Sequence, residues 1–96
     1  MTVTIDGRRI FTRDDFHTQV QDVLQLGPNY GQNLDALYDF LGTEVERPVH
    51  VVWEHSVESR QRLGDDYFRK IIEIFDSVSR HDAELGRTNR FTFELK

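Results

Sequence analysis

The chain has no cysteine among its 96 residues. Without thiols there is neither a disulfide framework nor a thiolate metal site, and nothing demands an oxidising compartment. Proline occurs only at Pro28 and Pro48, so regular elements are interrupted by proline at just those points. Long apolar runs are absent and charge appears early, at Asp6 and Arg8, so neither a membrane-spanning segment nor a secretory leader is expected. The expectation is a soluble cytoplasmic protein, one domain over residues 1–96 with a modest single core. Phosphate loop, dinucleotide fingerprint and G-x-S-x-G elbow are also missing, and no Ser-His-Asp set can be proposed from spacing. The four histidines, His17, His50, His55 and His81, lack metal-ligand spacing and read as surface or hydrogen-bonded structural residues. No metal or cofactor is expected.

One absence is local. From Asp14 to Glu46 there is no Lys or Arg, while Asp14, Asp15, Asp22, Asp35, Asp39, Glu44 and Glu46 make seven acids. The other 63 residues hold ten acids against twelve bases, so the whole negative excess behind the net charge of -5 lies in one third of the chain. Such a region attracts a cationic partner at long range and repels polyanions, which disfavours direct binding of nucleic acid.

At the centre of this acidic third stands Tyr30-Gly31-Gln32-Asn33-Leu34-Asp35-Ala36-Leu37-Tyr38-Asp39-Phe40-Leu41. Asn33 is a good N-cap, because its side-chain oxygen can accept from an unpaired N–H of the first turn. Leu34, Leu37, Phe40 and Leu41 form an apolar stripe at helical spacing. Asp35 and Asp39, one turn apart, project together from another part of the surface, which weakens an isolated helix by a few tenths of a kcal/mol. The macrodipole compensates Asp35 in the first turn but not Asp39. Gly42 sits where a C′ residue would end the helix.

The remaining elements follow in order. Thr2-Val3-Thr4-Ile5 alternates as a short strand before the turn residues Asp6-Gly7. Thr12 and Asp15 approximate a capping box, and Phe16, Val20, Val23 and Leu24 continue a helix from about Arg13 to Gln25, broken at Gly27-Pro28-Asn29. Thr43 to Pro48 reads as a loop. Val49 to Trp53 is nearly all β-forming and apolar, the pattern of a central strand buried on both faces. Ser56 to Leu63 allows a short helix. Asp65 or Asp66 can cap a long one, with Phe68, Ile71, Ile72, Phe75 and Val78 on one face, ending between Arg80 and Glu84. Arg90 to Leu95 alternates as a last strand. Helical stretches between three strands permit parallel pairing, giving a small α/β domain.

Paired carboxylates can perform acid–base chemistry when their environments differ. Asp35 and Asp39 instead share one helix face, and neighbouring exposed carboxylates are more often solvated surface, so an enzyme is not expected. Tyr30 and Tyr38 flank the pair and are of the type that anchors interfaces, although such tyrosines also serve as core residues with a wet hydroxyl. Gly31 lets the backbone approach a partner closely or satisfies the turn before Asn33. Trp53 reads as core packing.

The run Y-G-x-N-L-D-A-L-[WY]-D, here Tyr30 to Asp39, closely resembles the barstar family, inhibitors of the secreted ribonuclease barnase. The similarity extends over essentially the whole chain, from the strand ending in Asp6-Gly7 through the Pro28 break and the Pro48 approach to a Val-rich strand. The resemblance implies a three-stranded parallel sheet with about four helices against it. It also implies an intracellular inhibitor, monomeric when free, that plugs the active site of a small secreted microbial ribonuclease in a 1:1 complex, its carboxylates standing in for RNA phosphate. On this reading Asp39 is the central ion-pair residue and Asp35 the second carboxylate. Tyr30, Gly31, Asn33, Leu34 and Tyr38 form the contact surface, bordered by the loop residues Val45 and Glu46. Tyr38 and Glu44 stand where the best-known member has tryptophan. The family's further acid aligns with Ser77, leaving the neighbouring Asp76 as its substitute. These departures point to a related but different ribonuclease. The alternative is an acidic module of antitoxin or immunity type for another basic protein.

Overall fold

The computed structural model describes all of residues 1–96. Three strands, β1 (Thr2–Asp6), β2 (Val49–Glu54) and β3 (Phe91–Leu95), form one parallel sheet in the order β1-β2-β3. The helices are α1 (Arg13–Val23), α2 (Leu34–Thr43), α3 (Ser56–Leu63) and α4 (Asp65–Glu84), with a 3-10 turn at Gly7–Arg9 that the sequence reading did not foresee. The α/β class and the parallel three-stranded sheet expected above are those observed.

Register across the sheet pairs Val3 with Val51 and Phe93, and Ile5 with Trp53 and Leu95. Side chains alternate between faces along a strand, so these residues share one face with Val49 and Phe91. The single core cluster joins that face to Phe16 and Val20 of α1, Leu37 and Leu41 of α2, Leu63 of α3, and Ile71, Phe75 and Val78 of α4. Trp53, fully buried, stacks on Phe16 at 5.1 Å and donates from Nε1 to Ser59 Oγ at 3.0 Å. Ser59 Oγ in turn donates to Gly7 O at 3.2 Å. A Cβ on Gly7 would collide with His55 O and lie 2.6 Å from Glu54 O, so only glycine lets the first strand's end close on this corner.

The opposite face corrects one expectation. β2 is central but not covered on both sides: Thr2, Thr4, His50, Glu54, Thr92 and Glu94 are exposed or half-exposed there, and Val52 lies outside the core cluster. Parallel sheets are usually covered on both faces. Here a polar ladder dresses the open face, with His50 Nδ1 bonded to Thr92 Oγ1 at 2.8 Å and Nε2 to Glu94 Oε1 at 3.0 Å. His50 therefore holds the Glu94 carboxyl below its usual range.

Three helix boundaries also differ from expectation. The capping box of α1 is present, with Asp15 N–H donating to Thr12 Oγ1 and Thr12 N–H to Asp15 Oδ2. However, α1 stops at Val23 because Gln25 turns left-handed, φ +53°, ahead of Gly27 and Pro28. Gly42 does not end α2, which continues to Thr43. Neither Asp65 nor Asp66 caps α4: Gly64 is the N-cap, and the two acids lie in the first turn, where the dipole favours them.

Candidate functional site

α2 is held from below and at both ends. Asn33 Oδ1 accepts from Ala36 N–H at 2.8 Å, the N-cap read from sequence. The segment before it is tied to α1 through Gln32 Nε2, which donates to Gln21 Oε1 at 2.8 Å. Under that segment Tyr30 is 4% exposed; its hydroxyl meets His17 Nδ1 at 2.7 Å, and Tyr67 meets the other ring nitrogen at 2.7 Å. Burial pushes the Tyr30 and Tyr67 hydroxyls up and the His17 imidazole down.

The far end is held by Arg47. Its Nη1 donates to Leu41 O at 2.6 Å and to Val45 O at 2.8 Å, while Nε and Nη2 grip Asp82 at 2.9 and 3.3 Å. Asp82 also accepts from Phe91 N–H at 2.8 Å and from Arg87. Burial alone would raise the Asp82 carboxyl; hydrogen bonds from Arg47 and Phe91 and the charges of Arg47 and Arg87 outweigh it and keep the carboxyl below its usual range.

With Leu37 and Leu41 buried, the outward face of α2 carries Asp35, Tyr38 and Asp39. Tyr38 is 54% exposed. None of Asp35, Asp39, Glu44 and Glu46 has an ion-pair partner, whereas on α4 Asp65, Asp66, Glu73 and Asp76 are all paired with Arg or Lys. Concavities lie on each side of this face. A groove of about 490 Å³ runs between α2 and the end of α4, with Asp35, Tyr38, Asp39 and Gly42 on one wall and Val78, His81 and Arg87 on the other. A second of about 270 Å³ lies between Leu34 and Tyr38 and the α4 residues Glu73, Ile74 and Ser77. A third of about 380 Å³ opens at Asn33 and Asp35 beside Arg13 and Tyr67.

Against the sequence reading, Asp35, Tyr38 and Asp39 come together on one exposed face, with Gly31, Asn33 and the half-buried Leu34 at its start and Glu44 and Glu46 just past its end. Three residues fall elsewhere. The Tyr30 ring is core, captured by His17 and packed edge-on against Phe40 at 5.3 Å. Val45 is 7% exposed, turned inward so that Glu44 and Glu46 on either side point out. Asp76 pairs with Arg80 at 2.9 Å and lines neither groove beside α2. A helix turns about 100° per residue, so Asp76 does not share the direction of its neighbour: Ser77 borders Tyr38 and Asp76 does not. The exposed α4 acid that does border it is Glu73. It was missed although Glu73, Ser77 and His81 repeat at a visible four-residue spacing. Arg47, with Asp82 and Arg87, was missed because nothing local links it to residues 35 or more positions away.

The fold and this face define a small α/β domain that presents an acidic helix left unneutralised by its own chain. The family described as Barstar (barnase inhibitor) matches residues 1–94, and the chain belongs to that family. A Bacillus subtilis (strain 168) protein named "Putative ribonuclease inhibitor YrdF" is 33% identical over 76 residues, covering 79% of this chain and 82% of the relative. No helix is long and apolar enough to cross a membrane.

Proposed function

We propose that this protein is a non-catalytic inhibitor of a small basic ribonuclease, acting inside the cell and binding one enzyme through the exposed face of α2. The observation that carries the reading is the unpaired set Asp35, Asp39, Glu44 and Glu46 on and after α2, in a chain of the barstar family. Carboxylates without internal partners can replace phosphate oxygens before the cations of an RNA-binding cleft, where an Arg fork grips a carboxylate through two charge-assisted bonds. Asp39 stands mid-helix beside both Tyr38 and the large groove, so it takes the central cation. Asp35 takes a second. Tyr38 supplies apolar contact area with a polar tip, and Leu34 with Gly31 and Asn33 borders it. Tyr30 acts from beneath, by holding the start of the helix through His17 rather than by touching the partner. Val45 does the same for Glu44 and Glu46.

The test is a titration of small secreted bacterial ribonucleases, barnase included, against the protein. RNA cleavage should cease near one-to-one stoichiometry, and Asp39→Ala should weaken inhibition most of all single changes, because it leaves the enzyme's buried cations unpaired. Full ribonuclease activity across the panel at excess protein would refute the proposal. Capture by wild type, but not by Asp39→Ala, of a basic protein without ribonuclease activity would favour the broader acidic-module alternative.

A further inference from the structure

The sheet has two outer edges, and the chain closes one of them better than the other. On β1 both edge groups of Asp6 are taken by one side chain: Gln19 Nε2 donates to Asp6 O and Gln19 Oε1 accepts from Asp6 N–H, each at 2.9 Å, with α1 packed alongside. On β3 the pairing with β2 is set by Val49 N–H, which donates to Arg90 O, and by Lys96 N–H, which donates to Trp53 O. Peptide groups alternate between the two sides of a strand, so Thr92 and Glu94 turn theirs to β2 while Phe91, Phe93 and Leu95 turn theirs outward. One of these outward groups has a partner, the Phe91 N–H held by Asp82 Oδ2 at 2.8 Å. Phe91 O and both backbone groups of Phe93 and of Leu95 bond to nothing within the chain. The flank beside them is open as well. A groove of about 360 Å³ is lined by Phe68 and Ile72 of α4 and by Leu95, itself 41% exposed, with Arg60, Asp65 and Arg69 completing it.

An unpaired, partly apolar strand edge is a template for another strand. We propose that this edge binds the β3 edge of a second copy of the chain, antiparallel about a two-fold axis at Phe93, to give a six-stranded sheet. The strand is complementary to itself in that register. Phe93 N–H and O meet the O and N–H of the second copy's Phe93, each Leu95 N–H meets the opposite Phe91 O, and Asp82 on Phe91 N–H ends the ladder. On the core side Phe93, half-buried against Phe75 at 5.4 Å, faces its own symmetry mate as an aromatic cross-strand pair. On the open side Glu94 stands opposite Thr92 rather than Glu94, so like charges do not meet there. The helices suit the same operation. α4 starts beside Leu95 and ends beside Phe91, so the two-fold sets Phe68 and Ile72 against the second copy's Ser79 and Ala83, which continue that flank at helical spacing: large residues against small. α2 lies on the other flank of α4, with Glu73, Ser77 and His81, so both acidic faces stay open in the dimer. The dimer stands in place of the free monomer that the family resemblance implies. Because it is built on one short strand and one helix flank, it is a weak one.

Sedimentation equilibrium of the free protein from about 10 µM to 1 mM, the range in which a small interface populates a dimer, should carry the mass from 11.4 kDa toward twice that value. Amide exchange followed by NMR over the same range should slow at Phe93 and Leu95 as concentration rises, while Thr92 and Glu94, already paired to β2, stay protected throughout. Leu95→Pro removes an N–H that the single copy does not use, and the two-fold counts the loss twice, so self-association should weaken by about tenfold or more. Leu95→Lys keeps that donor but sets a charge against the opposite Phe91, and supplies the result if proline disturbs the strand. Asp39→Ala should associate as wild type does. A mass of 11.4 kDa at every concentration, with Phe93 and Leu95 exchanging freely, overturns the proposal. So does association that survives both Leu95 variants, or that is lost in Asp39→Ala, since the contact then lies elsewhere or on α2.

Discussion

At Asp82 a carboxylate 1% exposed is surrounded by two guanidiniums and a backbone N–H, which joins the end of α2 to the start of β3. Removing one partner of a buried ion pair leaves the other charge uncompensated, at a cost of about 3–5 kcal/mol. Asp82→Ala should lose stability of about that size, read as a lower midpoint in urea unfolding. Its folded pKa lies below the unfolded value of 3.8, so this contribution is complete above that pH and is lost as acidification proceeds through the folded value. His17 gives a second, milder window. A neutral imidazole has one donor and one acceptor, which satisfies Tyr30 and Tyr67 together; an imidazolium has two donors and leaves a tyrosine proton without its acceptor. Burial keeps the folded His17 pKa below 6.5, against a weaker opposing pull from Asp14. The unfolded chain therefore takes up the proton first, and stability falls as pH drops below 6.5. Unfolding midpoints across pH 5 to 8 should show this slope in wild type and a flatter profile in His17→Gln.

α2 shows how far an element can be read locally. Its beginning was legible because capping is a contact between neighbours: Asn33 and Ala36 need nothing from the rest of the chain. Asn33→Ala should cost about 1 kcal/mol. Its end was not legible. Gly42 has the composition of a terminator, yet it lies within the helix, because Thr43 Oγ1 donates to Asp39 O and Arg47, anchored on Asp82, takes Leu41 O. Gly42 meets no left-handed requirement and a Cβ there would touch nothing within 4 Å. Gly42→Ala should therefore raise stability by roughly 0.5–1 kcal/mol. Thermal denaturation of the two variants should shift in opposite directions. The α1 terminus was hidden for a different reason: Gln25 adopts a conformation usually left to glycine or asparagine, and Leu26 N–H closes back on Gln21 O.

For the whole molecule, the folding of one acidic third around α2 sets an electrostatic direction. Exposed charges interact over a Debye length of about 10 Å at 0.1 M salt. Association with a basic ribonuclease should therefore slow steeply as sodium chloride rises from about 0.05 to 0.5 M, while dissociation changes little. Stopped-flow mixing would show this, and an association rate indifferent to salt would mean that the negative excess plays no part in encounter. The opposite side of the molecule is a sheet face left open to water, with His50 bridging Thr92 and Glu94 across β2 and β3.

Periodicity, capping chemistry and charge order are properties of neighbours along the chain. They determined the strand and helix sequence, the apolar stripes of α2 and α4, the N-caps at Thr12 and Asn33, and the acidic face of Asp35, Tyr38 and Asp39. Tertiary structure decided what depends on meetings between distant residues: the β1-β2-β3 order, the open second face of the sheet, the capture of Tyr30 by His17 and the inward turn of Val45. It also placed Arg87 across a groove from Asp39. The helical turn alone points Asp76 and Ser77 in different directions, and only the packing of α4 shows which of its flanks, the one with Glu73, Ser77 and His81, stands beside the acidic helix.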